Sequence, residues 1–303
     1  MKEKLFFVLS MIIFGAVGVF AKYINLSSSK IALFLGLIGA IFLLAIFSFK
    51  KQKLSWNIVK KNFIPLLVAS IALSGNWIFL FQAYKETTIA NAALSYYFAP
   101  VLVILLSALI LKERLSLKKV LCITVALIGL FFILHNSTQE AAGNHLLGIG
   151  YGLIAAGFYA TLTLTNKFIK GLEGLESTLL QLGLSVVILF PYVLFAEGLS
   201  LTSITFRTFM LMLLLGILHG GIGFYLFFAG MKGLKAQSIA VLSYVDPLTS
   251  LLISALVVRE VLTLQQLIGA LLLLGSIGIS ETDPLRIKKN TLQMKGKNNV
   301  FYK

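Results

Sequence analysis

Apolar residues in this chain come in long continuous runs, not in the alternating or three-to-four spacing of half-buried strands and helices. Ten such runs stand at roughly 4–24, 30–49, 63–83, 90–111, 118–135, 147–168, 176–196, 207–230, 238–258 and 266–280. Each approaches the ~20 apolar residues a helix needs to cross a bilayer. The pattern predicts an all-α polytopic membrane protein with ten transmembrane helices. Lys2 and Lys4 before the first run resemble the start of a signal peptide. No small-x-small cleavage site with a polar mature start follows, so the run reads as an uncleaved first helix. The stretch after Ser280 is polar and lysine-rich, which predicts a disordered tail.

Charge then orients the spans. Of 303 residues only 12% are charged and 58% are hydrophobic, too little charge to cover a soluble fold. The 26 basic against 11 acidic residues give a formal charge of +15, which in a soluble protein would raise nucleic acid as a partner. Here 21 of the 26 basic residues fall in the two tails and every second loop, and 5 fall in the other set. Basic residues favour the cytoplasmic side, so both termini are expected there. The charge thus reports topology in a lipid bilayer and removes the nucleic-acid reading. Cys122 is the single cysteine, which excludes an internal disulfide and a cysteine-based metal site. No cofactor or metal is implied.

An internal repeat follows. Displaced by 147 positions, residues 81–117 fall on 228–264 with 12 of 37 identical, among them Tyr97 with Tyr244, Pro100 with Pro247 and Glu113 with Glu260. Leucine matches carry little weight in such a chain. A mid-helix proline, a tyrosine three before it and a glutamate thirteen after it carry more. Five spans per half is an odd number, so the halves must cross the membrane in opposite senses. Two inverted five-helix repeats, 4–135 and 147–280, followed by a cytoplasmic tail over 281–303, are therefore expected. Secondary transporters use such symmetry to rock about a central site.

These residues resemble the drug/metabolite transporter superfamily, in particular its ten-helix EamA-type members. The likeness is carried by Asn76-Trp77 in the third span, Tyr96-Tyr97-Phe98-Ala99-Pro100 in the fourth and Lys112-Glu113 after it, with Pro247 and Arg259-Glu260 repeating the pattern in the ninth. It covers about residues 4–280. What the resemblance implies is a secondary carrier, often an exporter, of amino acids or other small metabolites.

Candidate site residues lie in the middle spans. Proline cannot donate its helical hydrogen bond, so Pro100 and Pro247 leave the carbonyls of Tyr96 and Ser243 seeking another partner. The result is either a supported kink or a broken backbone lining a cavity. Asp246 is the only acid deep in a span, where insertion costs about 2.5–3.5 kcal/mol. Its repeat partner is Ala99, so the scaffold's symmetry does not demand it. It reads as a proton-coupling carboxylate, as the counter-ion of a substrate ammonium, or as a structural acid bonded to Thr249 or Ser250. His219, the only histidine within a span, precedes Gly220, Gly221 and Gly223 and is either a packed neutral ring or a proton relay. Asn76, Trp77, Tyr96, Tyr97, Tyr225 and Tyr244 could line a pocket for an apolar or aromatic side chain, or could pack helices. Tyr84 suits an interfacial belt. Glu113 and Glu260 end the fourth and ninth spans as gate charges or as caps of neighbouring helices. The small-residue runs Gly36–Ala40 and Gly275–Gly278 read as close helix contacts.

No GxxxxGK[ST] loop, HExxH motif or intramembrane acid pair is present, which argues against an ATP-driven pump, a zinc hydrolase and a metal-dependent diphosphate enzyme. The expected activity is alternating-access transport of a small molecule, with proton coupling open and the oligomeric state unassigned. The rivals are a membrane-embedded enzyme acting on a lipid and a non-transporting sensor or partner.

Overall fold

The computed structural model describes residues 2–17, 20, 23–87, 89–113, 116–134, 144–198, 204–253 and 263–281. It is all-helical over these residues. In chain order come α1 (Lys2–Gly15), α2 (Ser28–Phe49), the short α3 (Trp56–Lys61), α4 (Phe63–Glu86), α5 (Ile89–Tyr96), α6 (Ala99–Ile110) and α7 (Leu117–Leu134). Then follow α8 (His145–Thr165), α9 (Gly174–Tyr192), α10 (Phe206–Leu215), α11 (Phe224–Lys232), α12 (Ala236–Leu242), α13 (Val245–Ile253) and α14 (Leu264–Glu281). A π-helical turn, Val193–Glu197, extends α9, and a longer π segment, Gly216–Gly223, joins α10 to α11. By length and composition, five helices among the described residues can cross a membrane: Ser28–Phe49, Phe63–Glu86, Leu146–Thr165, Gly174–Phe195 and Phe206–Lys232.

Local polar residues start several of these helices. The side chains of Ser27, Asn144 and Thr205 accept from the backbone N–H groups of Lys30, Leu147 and Thr208, satisfying donors a helix start leaves free. Glu173 and Glu176 form a reciprocal capping box at α9. The prolines act differently. Pro100 enters at the start of α6 and Pro247 in the first turn of α13, positions where a missing N–H costs no helical bond. Each expected span is therefore two short helices meeting at a break, around Tyr97-Phe98 and around Ser243-Tyr244. The Ser243 carbonyl, expected to be orphaned, accepts from the Asp246 N–H at 3.2 Å in a tightened turn.

Packing pairs the elements across the chain. α4 lies along α8, and α1 lies along α11; α2 runs beside α9, and α7 beside α14. The broken α5–α6 rests on α8, the broken α12–α13 rests on α1, and α6 meets α12. Exchanging each residue n for n+147 turns α4–α8 into α11–α1, leaves α2–α9 and α7–α14 in place, and turns the rest of α5–α6 on α8 into that of α12–α13 on α1; the α6–α12 contact has no such counterpart among the main contacts.

Apolar side chains face outward as well as inward, and polar ones are set into the apolar core. Ile41, Leu44, Leu109, Val187 and Leu271 are exposed, while Ser70, Ser107, Thr178, Gln181 and Ser185 are buried. Each of these five polar side chains bonds another protein group, mostly a helical carbonyl, as a medium without water requires. Glycine permits the closest crossing: a Cβ built on Gly39 would stand 2.6 Å from the backbone of Gly220, so α2 seats directly on the π segment. Gly275 and Gly278 behave otherwise than expected. A Cβ at either meets nothing within 4 Å, so the two glycines face open space, although Ser276 between them is buried.

Candidate functional site

The two broken spans bring Tyr97, Tyr244 and Asp246 to one place. Tyr97 Oη donates to Asp246 Oδ1 at 3.0 Å, joining residues 149 positions apart. Tyr244, fully buried, directs its hydroxyl at the Tyr97 carbonyl at 3.4 Å. Thr249, named above as a partner for Asp246, donates instead to the Val245 carbonyl at 2.8 Å. Because the helix restarts at Val245, Asp246 stands in the first turn of α13. There the helix dipole favours a negative charge, which offsets part of the cost of holding a carboxylate in hydrocarbon. The break at Pro247 thus makes Asp246 tolerable.

Tyrosines surround that carboxylate. Tyr84 from α4, Tyr96 and Tyr97 from the first break, and Tyr159 from α8 all lie within electrostatic reach of Asp246. The Tyr96 ring stands 5.6 Å from that of Tyr97 and 6.1 Å, edge-on, from that of Tyr159. Tyr159 and Ser243 share a hydrogen bond of 2.8 Å between their hydroxyls. Ser243 gives its one proton to the Ile239 carbonyl at 2.8 Å, so Tyr159 is the donor to Ser243. Helix α1 closes one side, where a Cβ on Gly15 would come within 2.7 Å of the Asp246 carbonyl. Tyr84 therefore faces the interior and not an interfacial belt. Tyr159 and Ser243 are additions to the expected set. No local motif marks them; only the pairing of α8 with the broken helices reveals them.

The other candidates separate from this centre. Asn76 is buried and donates to the Ala155 carbonyl at 2.9 Å, fastening α4 to α8 beside Tyr96. Trp77, next to it, turns toward α11 and meets Phe224 edge-on at 5.3 Å. Tyr225 faces the start of α1, its ring 6.4 Å from Phe6. Phe6 and Gly15 are nine residues apart, about 13 Å along a helix, so Tyr225 lies away from Asp246. His219 sits in the π segment with its ring 4.3 Å from Phe14 and 5.4 Å from Phe224. Its buried Nδ1 has no hydrogen-bond partner among the described residues. An apolar cavity of about 150 Å³ lined by Ile13, Ala16, Val17, Phe20, Leu215 and Leu218 adjoins it. Phe14 contacts His219 while Gly15 contacts the Asp246 backbone, so α1 stands between the two groups.

Glu113 forms a third location, at the lysine-rich end. Its Oε1 accepts from the Ala236 N–H at 3.2 Å, capping α12 from the other half of the chain. Beside it Lys167 Nζ donates to the carbonyls of Met231 (2.5 Å) and Leu234, and Lys119 Nζ donates to Ser238. Burial pushes the Lys167 ammonium down to about 8, with Glu113 pulling the other way. At the opposite end Ser27 and Ser29 both donate to the Glu197 carboxylate. Glu260 lies outside the described residues. No group of three or more metal-ligating side chains occurs among the described residues.

An all-helical assembly with apolar side chains facing outward and five helices able to cross a bilayer fits a multi-pass membrane protein. The EamA-like transporter family model matches the chain twice, over residues 1–135 and 146–281, and the chain belongs to that family. An uncharacterized transporter of Bacillus subtilis, YxxF, is 30% identical over 90% of this chain and 87% of its own length. An uncharacterized transporter of Archaeoglobus fulgidus is 29% identical over 90% of this chain and 94% of its own. The Salmonella typhimurium relative YicL, named an uncharacterized inner membrane transporter, is 24% identical over 94% and 97%. A solved crystal structure superposes with a TM-score of 0.76 at 19% identity, covering 92% of this chain and 98% of that one. At that identity the likeness is one of fold.

Proposed function

We propose that the protein is a secondary carrier that moves small metabolites, amino acids or related amines and carboxylates, out of the cell by alternating access. Two inverted five-helix halves, 4–135 and 147–280, rock about the junction of the two broken spans. Helix pairings that exchange under the 147-residue shift, among them α4–α8 with α11–α1, support this symmetry, as does the twofold match of the family. The basic residues gathered in alternate loops support cytoplasmic termini in a cell-membrane protein.

One observation carries the reading: the hydrogen bond from Tyr97 to Asp246 joins the halves through two helix breaks. Broken helices in carriers expose backbone and polar side chains to a solute at the membrane's middle. Asp246 also supplies a group whose proton could be exchanged for a solute, which makes it the coupling candidate; His219, walled off by α1, is the lesser one. Glu113 and Lys167 clamp the 231–236 turn and act as the cytoplasmic latch, with Glu260 the symmetry-related candidate.

Counterflow in liposomes tests this. Purified protein should exchange a labelled solute from a panel of amino acids and amines, and Asp246→Asn should lower the rate at least 10-fold. A rate in Asp246→Asn equal to that of the natural chain would contradict it.

A further inference from the structure

We propose that the central site selects monocationic amines with an apolar body over solutes that carry a free carboxylate. This narrows the solute class of the carrier and rests on reading the Asp246–Tyr97 junction as the translocation site.

The charge at the junction is one-sided. Among the described residues no lysine, arginine or histidine reaches Asp246; the groups that act on it from the surrounding elements are tyrosines. Helix α1 adds only the close backbone approach at Gly15. The described residues thus provide a carboxylate and no counter-ion. Within a low-dielectric interior an added cation gains strongly from such a group, and an added anion loses. The rings reinforce the sign, since the faces of Tyr96, Tyr97 and Tyr159 attract cations through their quadrupoles.

Hydrogen-bond accounting points the same way. A carboxylate on the solute would need donors, and those nearest are committed. Tyr97 donates to Asp246, Tyr159 to Ser243, and Tyr244 points at the Tyr97 carbonyl. An ammonium needs acceptors instead, and Asp246 Oδ2 and the ring faces supply them without disturbing these bonds. Phe227, its ring 6.0 Å from that of Tyr159, extends the wall on that side, which suits an apolar body on the amine.

Four solutes of similar size separate the possibilities: phenethylamine (cation), 2-phenylethanol (neutral), phenylalanine (zwitterion) and 3-phenylpropionate (anion). Binding to purified full-length protein in detergent is measured by titration calorimetry. Phenethylamine should bind at least 10-fold more tightly than the other three. Asp246→Asn should remove that preference, and Tyr97→Phe, which keeps the ring, should change phenethylamine affinity several-fold while leaving the melting profile near that of the natural chain. Equal or tighter binding of phenylalanine or 3-phenylpropionate overturns the proposal, as does phenethylamine affinity unchanged in both variants, or no phenethylamine binding at all. Liposome flux separates the two claims. Asp246-dependent phenethylamine binding without flux counts against the carrier and leaves the cation preference standing. Asp246-dependent flux of phenylalanine, with no phenethylamine binding, does the reverse.

Discussion

Asp246 and His219 flank the same stretch of α1, and each sits in an interrupted helix, yet their surroundings are opposite. Asp246 meets a hydroxyl from the other half of the chain and is ringed by tyrosines. His219 is held by Phe14 and Phe224 with Nδ1 unpartnered among the described residues, next to an apolar cavity. A titratable residue inside a membrane span is by default a functional candidate. The contrast refines that default: what counts is whether the group faces another polar group across the junction of two broken helices or is enclosed by rings. The backbone breaks differ likewise. The breaks at the prolines expose polar atoms to each other, whereas the π segment at His219 lets Gly220 accept close packing from Gly39.

The contrast is most easily broken by paired substitution. Asp246→Leu should reduce transport at least 100-fold, while His219→Phe, which fits the same aromatic surroundings, should keep transport within about 2-fold; counterflow rates in liposomes measure both. Reversed effects would make the histidine the working group. Next in size are the glycine contacts. Gly39→Val forces a side chain into the Gly220 backbone and should destabilise by about 1–3 kcal/mol or more, lowering the melting temperature in detergent. Gly275→Val, which meets open space, should leave it unchanged. A smaller effect belongs to the hydrogen bond itself. Tyr97→Phe keeps the ring and removes one hydrogen bond, about 0.5–1.5 kcal/mol net, and should slow transport several-fold while the helix break persists.

The least effect concerns the Lys167 clamp. Burial holds its ammonium near 8, below the usual lysine range, so the folded chain gives up this proton before the unfolded chain does. The unfolded state then binds more protons between about pH 8 and 10.5, and stability from this group rises with pH across that window. As a neutral amine Lys167 still has N–H groups for the Met231 and Leu234 carbonyls. The melting temperature of the natural chain should therefore gain on that of Lys167→Met by about 2 °C from pH 7.5 to pH 10.

Much of the fold was legible in the sequence because lipid imposes a simple rule: long apolar runs become helices. Each of the ten runs carries helix among the described residues, but the fourth and ninth are broken in two and five helices there are long and apolar enough to cross a membrane. The 147-residue repeat paired Tyr97 with Tyr244, and the structure places both at helix breaks. Asp246 stood out because acids are scarce in the spans. Its partner was not legible, since Tyr97 is a neighbour only once the two breaks face each other. Local spacing suggested Thr249 and Ser250 instead. Tyr159 and Tyr84 were hidden for a related reason: which side of a uniformly apolar helix faces inward leaves no periodic trace. The Gly275–Gly278 run misled because small residues permit close packing without compelling it.

Carbodiimide labelling reads the status of Asp246 most directly, because a carboxyl-directed reagent soluble in membranes has one deep acid to find among the spans. Protein in liposomes is treated with dicyclohexylcarbodiimide, and the modified fraction at residue 246 is measured by peptide mass spectrometry with and without phenethylamine. A solute-accessible carboxyl at the junction of the halves predicts labelling at Asp246 that falls at least several-fold as phenethylamine is added. An Asp246 that does not label, or labels equally with and without the amine, would contradict the central claim.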